Sequence, residues 1–75
     1  MSVGFHRKPG HMADHLGRET LVATVDDEKF AEIFPVAAGY EAFHFPDGEF
    51  IGAGATSPAI KAVVEEHLRN LLEAA

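Results

Sequence analysis

The stretch SPAIKAVVEEHLRNLLEAA, residues 57–75, decides how the rest of this chain folds. Its apolar residues recur every three or four positions, which places side chains on one face of an α-helix over about four turns. Ser57 is a favoured residue before a helix and Pro58 is favoured at its first position, so the two predict the helix start. The predicted apolar stripe consists of Ile60, Val63, Val64, His67, Leu68, Leu71, Leu72 and Ala75.

The segment before this helix predicts a β-hairpin over residues 40–55. Apolar and polar residues alternate from Tyr40 to Phe45, with Phe43 and Phe45 on one face and Tyr40 and His44 on the other. Residues 46–49, Pro-Asp-Gly-Glu, are typical of a turn. Residues 50–55 then return as the partner strand. The C-terminal helix is expected to bury its stripe against this hairpin, which offers the largest apolar surface.

Residues 20–37 predict one further strand and a short helix. Residues 20–25 are rich in β-branched side chains, which favours a strand. Phe30, Ile33, Phe34 and Ala37 have helical spacing, which predicts a short helix near residues 27–34. A hairpin that turns at residues 26–28 remains the alternative. The predicted fold class is therefore α+β, with a small antiparallel sheet of about three strands packed against the long C-terminal helix.

The chain is predicted to hold one domain, residues 18–75, preceded by an arm. Residues 1–17 contain glycine, proline and scattered apolar residues without a sustained period, and they predict a flexible, basic, histidine-bearing arm. Met12 begins a natural start sequence, so part of the arm is interpreted as a cloning remnant or an upstream start. No apolar run reaches the length of a membrane span or of a secretory signal, so a cytoplasmic location is expected.

Composition limits the classes of function. The chain has 75 residues, no cysteine and a net charge of −6, and its excess of carboxylates lies after residue 18. An acidic body repels phosphate backbones, so direct nucleic-acid binding is not expected. The absence of cysteine excludes thiolate chemistry. So small a chain has little volume for an enclosed pocket, and we predict no catalytic residue and no cofactor, although a site shared between subunits stays open.

Histidines provide one candidate site. His6, His11 and His15 lie in the arm, and the last two have the i, i+4 spacing of metal ligands on a helix. Glycines flank this stretch and weaken the helix signal, so a solvated arm is the simpler interpretation. His44 and His67 are further candidates, since either imidazole could act as a general base, although a packed structural histidine is the simpler interpretation of each. If the two meet between sheet and helix they would form a pH-sensitive contact, which spacing alone does not decide.

The start of the last helix provides another candidate. Free amides and the helix dipole at a helix start favour an anion. The candidate anion site consists of Gly54, Thr56 and Ser57 at the helix start, together with His44. The structural explanation is that Ser57 caps its own helix while Gly52 and Gly54 allow a close approach to the strand. A small-ligand or anion-binding module, with a site shared between subunits, is the alternative function.

The preferred hypothesis for function is a small acidic non-enzymatic protein-interaction module, such as an accessory, inhibitor or antitoxin-like subunit. Surplus aromatic residues favour it. One helix covers one sheet face, yet the hairpin carries large apolar residues on both. Tyr40, Phe43, Phe45 and Phe50 are the predicted interaction residues. We expect a homodimer, or docking to a protein whose contact patch is basic, and no membrane partner.

Overall fold

The computed structural model describes residues 3–10 and 12–74, and it shows five antiparallel strands followed by one helix. The strands pair in chain order, each with the next. Their bounds are Val3–Arg7 (β1), Leu21–Val25 (β2), Glu28–Val36 (β3), Gly39–His44 (β4) and Phe50–Gly54 (β5), and the helix α1 is Ser57–Ala74. The α+β prediction and the hairpin of residues 40–55 are confirmed, with five strands in place of about three.

The predicted short helix near residues 27–34 is wrong, because this segment forms β3. Asp26 and Asp27 close a two-residue turn with φ values of 51° and 65°, the left-handed pair that a tight hairpin requires. The helical spacing of the apolar residues arises from a β-bulge: Ala31 pairs with Ala23 and Lys29 with Thr24, so Phe30 is an extra residue. The alternative of a hairpin near residues 26–28 is thus the one observed.

The first strand lies within residues 1–17, the segment predicted to be a flexible arm. Residues 3–7 pair with β2 in a regular antiparallel register, from Val3 opposite Val25 to Arg7 opposite Leu21. The sequence does not predict this strand, since five residues that include a glycine and a histidine are too short a run to establish an alternating pattern. The connection to β2 is held by the side chain of Asp14, which accepts hydrogen bonds from the backbone N–H groups of Leu16 and Arg18.

The core lies between one face of the sheet and α1. Ile60 and Val64 of α1 are fully buried, and they pack in one cluster with small and branched residues of the sheet, namely Ala23, Ala31, Ile33 and Ala42. Gly52 and Gly54 bring the helix close: a Cβ on Gly52 would lie 2.7 Å from Val63 Cγ1, and one on Gly54 would lie 2.7 Å from the backbone nitrogen of Ile60. The predicted close approach at these glycines is confirmed.

The two ends of α1 differ from the predicted helix. Thr56 caps the helix in place of Ser57, because the Ala59 N–H donates to Thr56 Oγ1 at 3.2 Å while Ser57 is already the first helical residue. At the other end Leu71 and Leu72 are 46% and 51% exposed, so the apolar stripe continues past the part of α1 that the sheet covers. Ala75 lies outside the described residues. In the described part, no helix is long and apolar enough to cross a membrane.

The buried half of the stripe carries the stability of the fold. We expect Ile60→Ala to lower the free energy of unfolding by about 2–5 kcal/mol, because it leaves a cavity where the helix meets the sheet. Urea denaturation measures this loss. The matched control is Leu72→Ala, which removes a side chain already half in water and should cost less than about 1 kcal/mol. Equal losses in the two variants would contradict the packing described above.

The Asp26–Asp27 turn gives a second stability prediction. Asp27→Gly should raise the free energy of unfolding by about 0.5 kcal/mol, since glycine adopts positive φ without steric cost and Asp-Gly is a favoured pair in this turn. The control is Glu28→Gly at the first position of β3, which should lower stability by about 0.5–1 kcal/mol. Thermal denaturation followed by circular dichroism compares them. A stabilisation by both variants, or by neither, would show that the turn conformation is not the cause.

Candidate interaction surface

The sheet face opposite α1 carries a row of phenylalanines. Phe34 of β3, Phe43 of β4 and Phe50 of β5 lie side by side across three neighbouring strands; we call them the aromatic row. Ring centroids are 5.8 Å apart for Phe34 and Phe43 and 5.6 Å apart for Phe43 and Phe50, both in edge-to-face geometry. Alternation along β4 places Phe43 here because Ala42 points into the core. The predicted two-faced pattern of β4 is confirmed.

A large part of this aromatic surface is open to solvent. Phe50 is 56% exposed, and Phe45, just beyond β4, is 39% exposed. Phe34 and Phe43 are half-buried, and ring contacts along the row shield part of each. Within residues 3–10 and 12–74, no helix or strand packs on this face. Exposed aromatic clusters of this kind are uncommon on isolated domains and commonly mark contact sites.

A charged network borders the aromatic row. Glu32 lies between Lys8, which donates a hydrogen bond to it, and Lys29, whose Nζ is 3.5 Å away. The Lys8 hydrogen bond, with Lys29 adding to it, lowers the pKa of Glu32 below its usual value. Lys29 Nζ also lies 4.1 Å from the ring centroid of Phe45, a cation–π distance. This part of the face is therefore apolar, and its two lysines and one carboxylate leave a local charge of +1.

Charge is distributed unevenly along the strand direction. The turns at residues 26–27 and 45–49 lie at one end of the antiparallel sheet, where the C-terminal half of α1 also lies because His67 contacts His44. We call this the acidic end. It holds eight of the twelve Asp and Glu residues but only Lys29 and Arg69 of the six Lys and Arg residues. These carboxylates are Asp26, Asp27, Glu28, Asp47, Glu49, Glu65, Glu66 and Glu73.

A groove of about 380 Å³ lies where β5 meets α1. Ile51 and Val63 form its apolar floor, and Ala62, Glu66, His67 and Asn70 complete its lining. Beside it, the rings of His44 and His67 lie 5.9 Å apart, so the two histidines meet between sheet and helix, which the sequence left open. Asp47 Oδ1 lies 3.0 Å from His44 Nδ1. The Glu49 N–H and this histidine lower the pKa of Asp47, which keeps the carboxylate ionised.

The predicted interaction residues fall on two faces. Phe43, Phe45 and Phe50 belong to the open face, whereas Tyr40 packs against the core on the helix side. Its ring is also covered by Arg18, whose Cζ lies 5.6 Å from the ring centroid. Tyr40 therefore belongs to the domain's own packing. The pairing of β4 with β3 adds a residue that sequence reasoning missed, Phe34.

The residues of the alternative anion site are not brought together. Thr56 is engaged as the helix cap, and Gly54 lies against the backbone of the first helical turns. His44 lies beside His67, ten residues along α1 from Ser57, which corresponds to about 15 Å of helix. Among the described residues, His44 is therefore not part of the helix start where the other three lie.

The structure describes two of the three histidines of the predicted metal set, His6 and His15. His6 lies on β1, where its Nε2 is 3.2 Å from Thr24 Oγ1. His15 is exposed in the connection between β1 and β2, and His11 lies outside the described residues. In the part of the chain that the structure describes, no three His, Cys, Asp or Glu side chains are placed to hold a metal ion.

Comparison with known proteins identifies no relative. No protein-family model, no curated protein and no solved structure matches this chain.

The Lys8–Glu32 contact predicts a defined dependence of stability on pH. Because the pKa of Glu32 is lowered in the folded chain, its contribution is present at neutral pH and is lost as pH falls through the folded pKa. We expect Lys8→Met to lower the free energy of unfolding by about 1 kcal/mol at pH 7, and the difference from wild type to shrink toward pH 3. Urea denaturation across this pH range measures it. In a Glu32→Gln background the Lys8→Met effect should not vary with pH; a variation there would assign it to another carboxylate.

Proposed function

We propose that this chain is a non-enzymatic protein-interaction module, and that the aromatic row together with Phe45 is its contact face. The observation that carries this proposal is the row itself: three phenylalanines in edge-to-face contact on a sheet face that α1 leaves uncovered, with Phe50 more than half exposed. Burial of aromatic side chains is the largest source of binding energy in most protein interfaces. A surface of this kind gains free energy when a partner excludes water from it.

The size of the face indicates what kind of complex it forms. Five strands spaced by about 4.8 Å, paired over segments of about five residues that are about 17 Å long, give a footprint of about 400 Å². Stable complexes bury about 800 Å² on each partner, so the sheet face alone fits the weaker, transient class. A tighter complex requires that the partner also contact surfaces beside the row.

The partner is a protein with a basic contact patch. The acidic end adjoins the aromatic surface, because Phe45 and Phe50 flank the turn that carries Asp47 and Glu49. Carboxylates at the rim of an apolar contact attract positive groups and speed association, while they repel acidic competitors. Binding that combines burial of the phenylalanines with this charge pairing weakens as salt rises.

A homodimer through the same face is the second candidate. The charge network at the row pairs Lys8 and Lys29 with Glu32 and carries a local charge of +1, so two copies would meet there without the repulsion that the net charge of −6 implies elsewhere. The aromatic rows of two copies would be complementary to one another. This arrangement buries the same residues but does not use the acidic end.

The experiment is a selection of peptides from a random displayed library on the immobilised full chain. We expect clones rich in Lys, Arg and large apolar residues, with affinity for wild type that falls about tenfold or more in Phe50→Ser. Fluorescence titration of synthetic peptides at low and physiological salt measures the affinities, and we expect the weaker affinity at the higher salt.

Leu72→Ser is the matched control, because Leu72 is 51% exposed and lies on α1, away from the aromatic row. It should bind the selected peptides as wild type does. Clones that bind Phe50→Ser and wild type equally would overturn the proposal. A stable dimer by analytical ultracentrifugation that Phe50→Ser dissociates and Leu72→Ser does not would replace the basic partner with the second candidate.

A further inference from the structure

We propose that the partner supplies an extended segment that pairs with the free edge of β5 as a sixth strand and lays alternate side chains into the groove between β5 and α1. This inference rests on the proposed function and names its binding mode. The segment would contact the groove with one set of side chains and Phe50 with the other, because neighbouring side chains of a strand point to opposite faces of a sheet. Strand addition of this kind is a recurring mode of peptide recognition.

The β5 edge is short and bulged, but it lacks the side chains that protect exposed strands. Edge strands commonly carry charged residues or proline that discourage pairing with another chain. The sequence of β5, Phe-Ile-Gly-Ala-Gly, has neither, whereas β1 at the other edge ends in the exposed Arg7. Its one irregularity is the bulge at Ile51, where Phe50 pairs with Phe43 and Gly52 pairs with Ala42. Residues 52–54 remain regular and uncharged.

The backbone of β5 presents hydrogen-bonding groups to this edge. The carbonyl oxygen of Gly54 is directed at β4, where it would meet a Cβ on Gly39. In an antiparallel pair the backbone groups of consecutive residues alternate in direction, so the N–H and C=O of Ala53 point away from β4. A segment placed beside β5 would satisfy both groups.

The groove provides the side-chain contacts that strand pairing alone lacks. Val63 and His67 form one i, i+4 row of α1 along the groove, and Ala62 and Glu66 form a second. Ile51 continues the apolar floor from the sheet, since the bulge turns it toward the helix side. Small apolar side chains of an added strand fit this floor, which meets β5 at Ile51.

The carboxylates beside the groove favour a basic segment of another protein over a second copy of this chain as the occupant. Glu66 is on the groove lining, and Asp47 and Glu49 lie in the turn that leads into β5. A segment that alternates apolar residues with Lys or Arg would place positive charges beside these carboxylates. The β5 of a second copy has no charged residue and would leave them unpaired. The occupant is therefore a basic extended segment of another protein.

The test uses a library-selected peptide and two blocking variants of the full chain. Ala53→Pro removes the N–H that the added strand would use, and proline is tolerated where an edge N–H faces solvent; Ala53→Val keeps the N–H and is its control. Ala62→Phe fills the groove from an exposed helix position, and Glu73→Phe is its control. We expect Ala53→Pro and Ala62→Phe each to weaken binding about tenfold or more, with both controls near wild type. Circular dichroism verifies that each variant folds. If Ala53→Pro does not fold, the binding of Ala62→Phe alone tests the inference.

Amide exchange measured by NMR identifies the pairing directly. The Ala53 amide should exchange more slowly when the peptide is added, while the exposed amides of β1 should not change. Peptides that require Phe50 but bind Ala53→Pro and Ala62→Phe as well as wild type would overturn this inference and leave the proposed function standing. Loss of dependence on Phe50 would overturn both. An Ala53 amide already protected in a peptide-free dimer would show that a second copy occupies the edge.

Discussion

The fold depends on the contact between Ile60 and Val64 of α1 and a sheet face made of small residues. Alanines at positions 23, 31 and 42, and glycines at 52 and 54, leave space for the helix to approach the strands closely. A chain of 75 residues has few ways to bury enough apolar area, and this close approach concentrates the burial on one face. The large residues of the sheet consequently cannot all be accommodated there.

The aromatic row is the consequence on the opposite face. Strand alternation that directs Ile33 and Ala42 to the helix directs Phe34 and Phe43 away from it. The two bulges modify this alternation where it matters, because the extra residues Phe30 and Ile51 both pack on the helix side. If these strands kept the same residues but were regular, the residues before each bulge would lie on the opposite face of the sheet. Core and contact surface therefore result from one set of strand registers.

The sequence predicts the features that depend on local pattern. The stripe around Ile60 and Val64, the hairpin of residues 40–55, and the alternation along β4 each follow from spacing within about twenty residues. The short helix near 27–34 was wrong because a bulge in a strand places apolar residues at intervals that imitate a helical period. The site was predicted in part: Phe43, Phe45 and Phe50 share a face, but Phe34 joins them only through the pairing of β3 with β4. Such a pairing joins residues distant in sequence, and local spacing does not reveal it.

Charge and apolar surface are arranged so that both would act on the partner proposed above. Carboxylates concentrated at the end that carries the turn before β5 create a field directed along the strands, and a basic segment that follows this field approaches Phe45 and Phe50 first. From there two surfaces are within reach, the aromatic row on one side of β5 and the groove on the other. The edge of β5 is the only part of the sheet, within the described residues, that adjoins both. A partner that binds tightly despite the small area of the sheet face gains most by engaging this edge, since backbone pairing there adds to burial on either side.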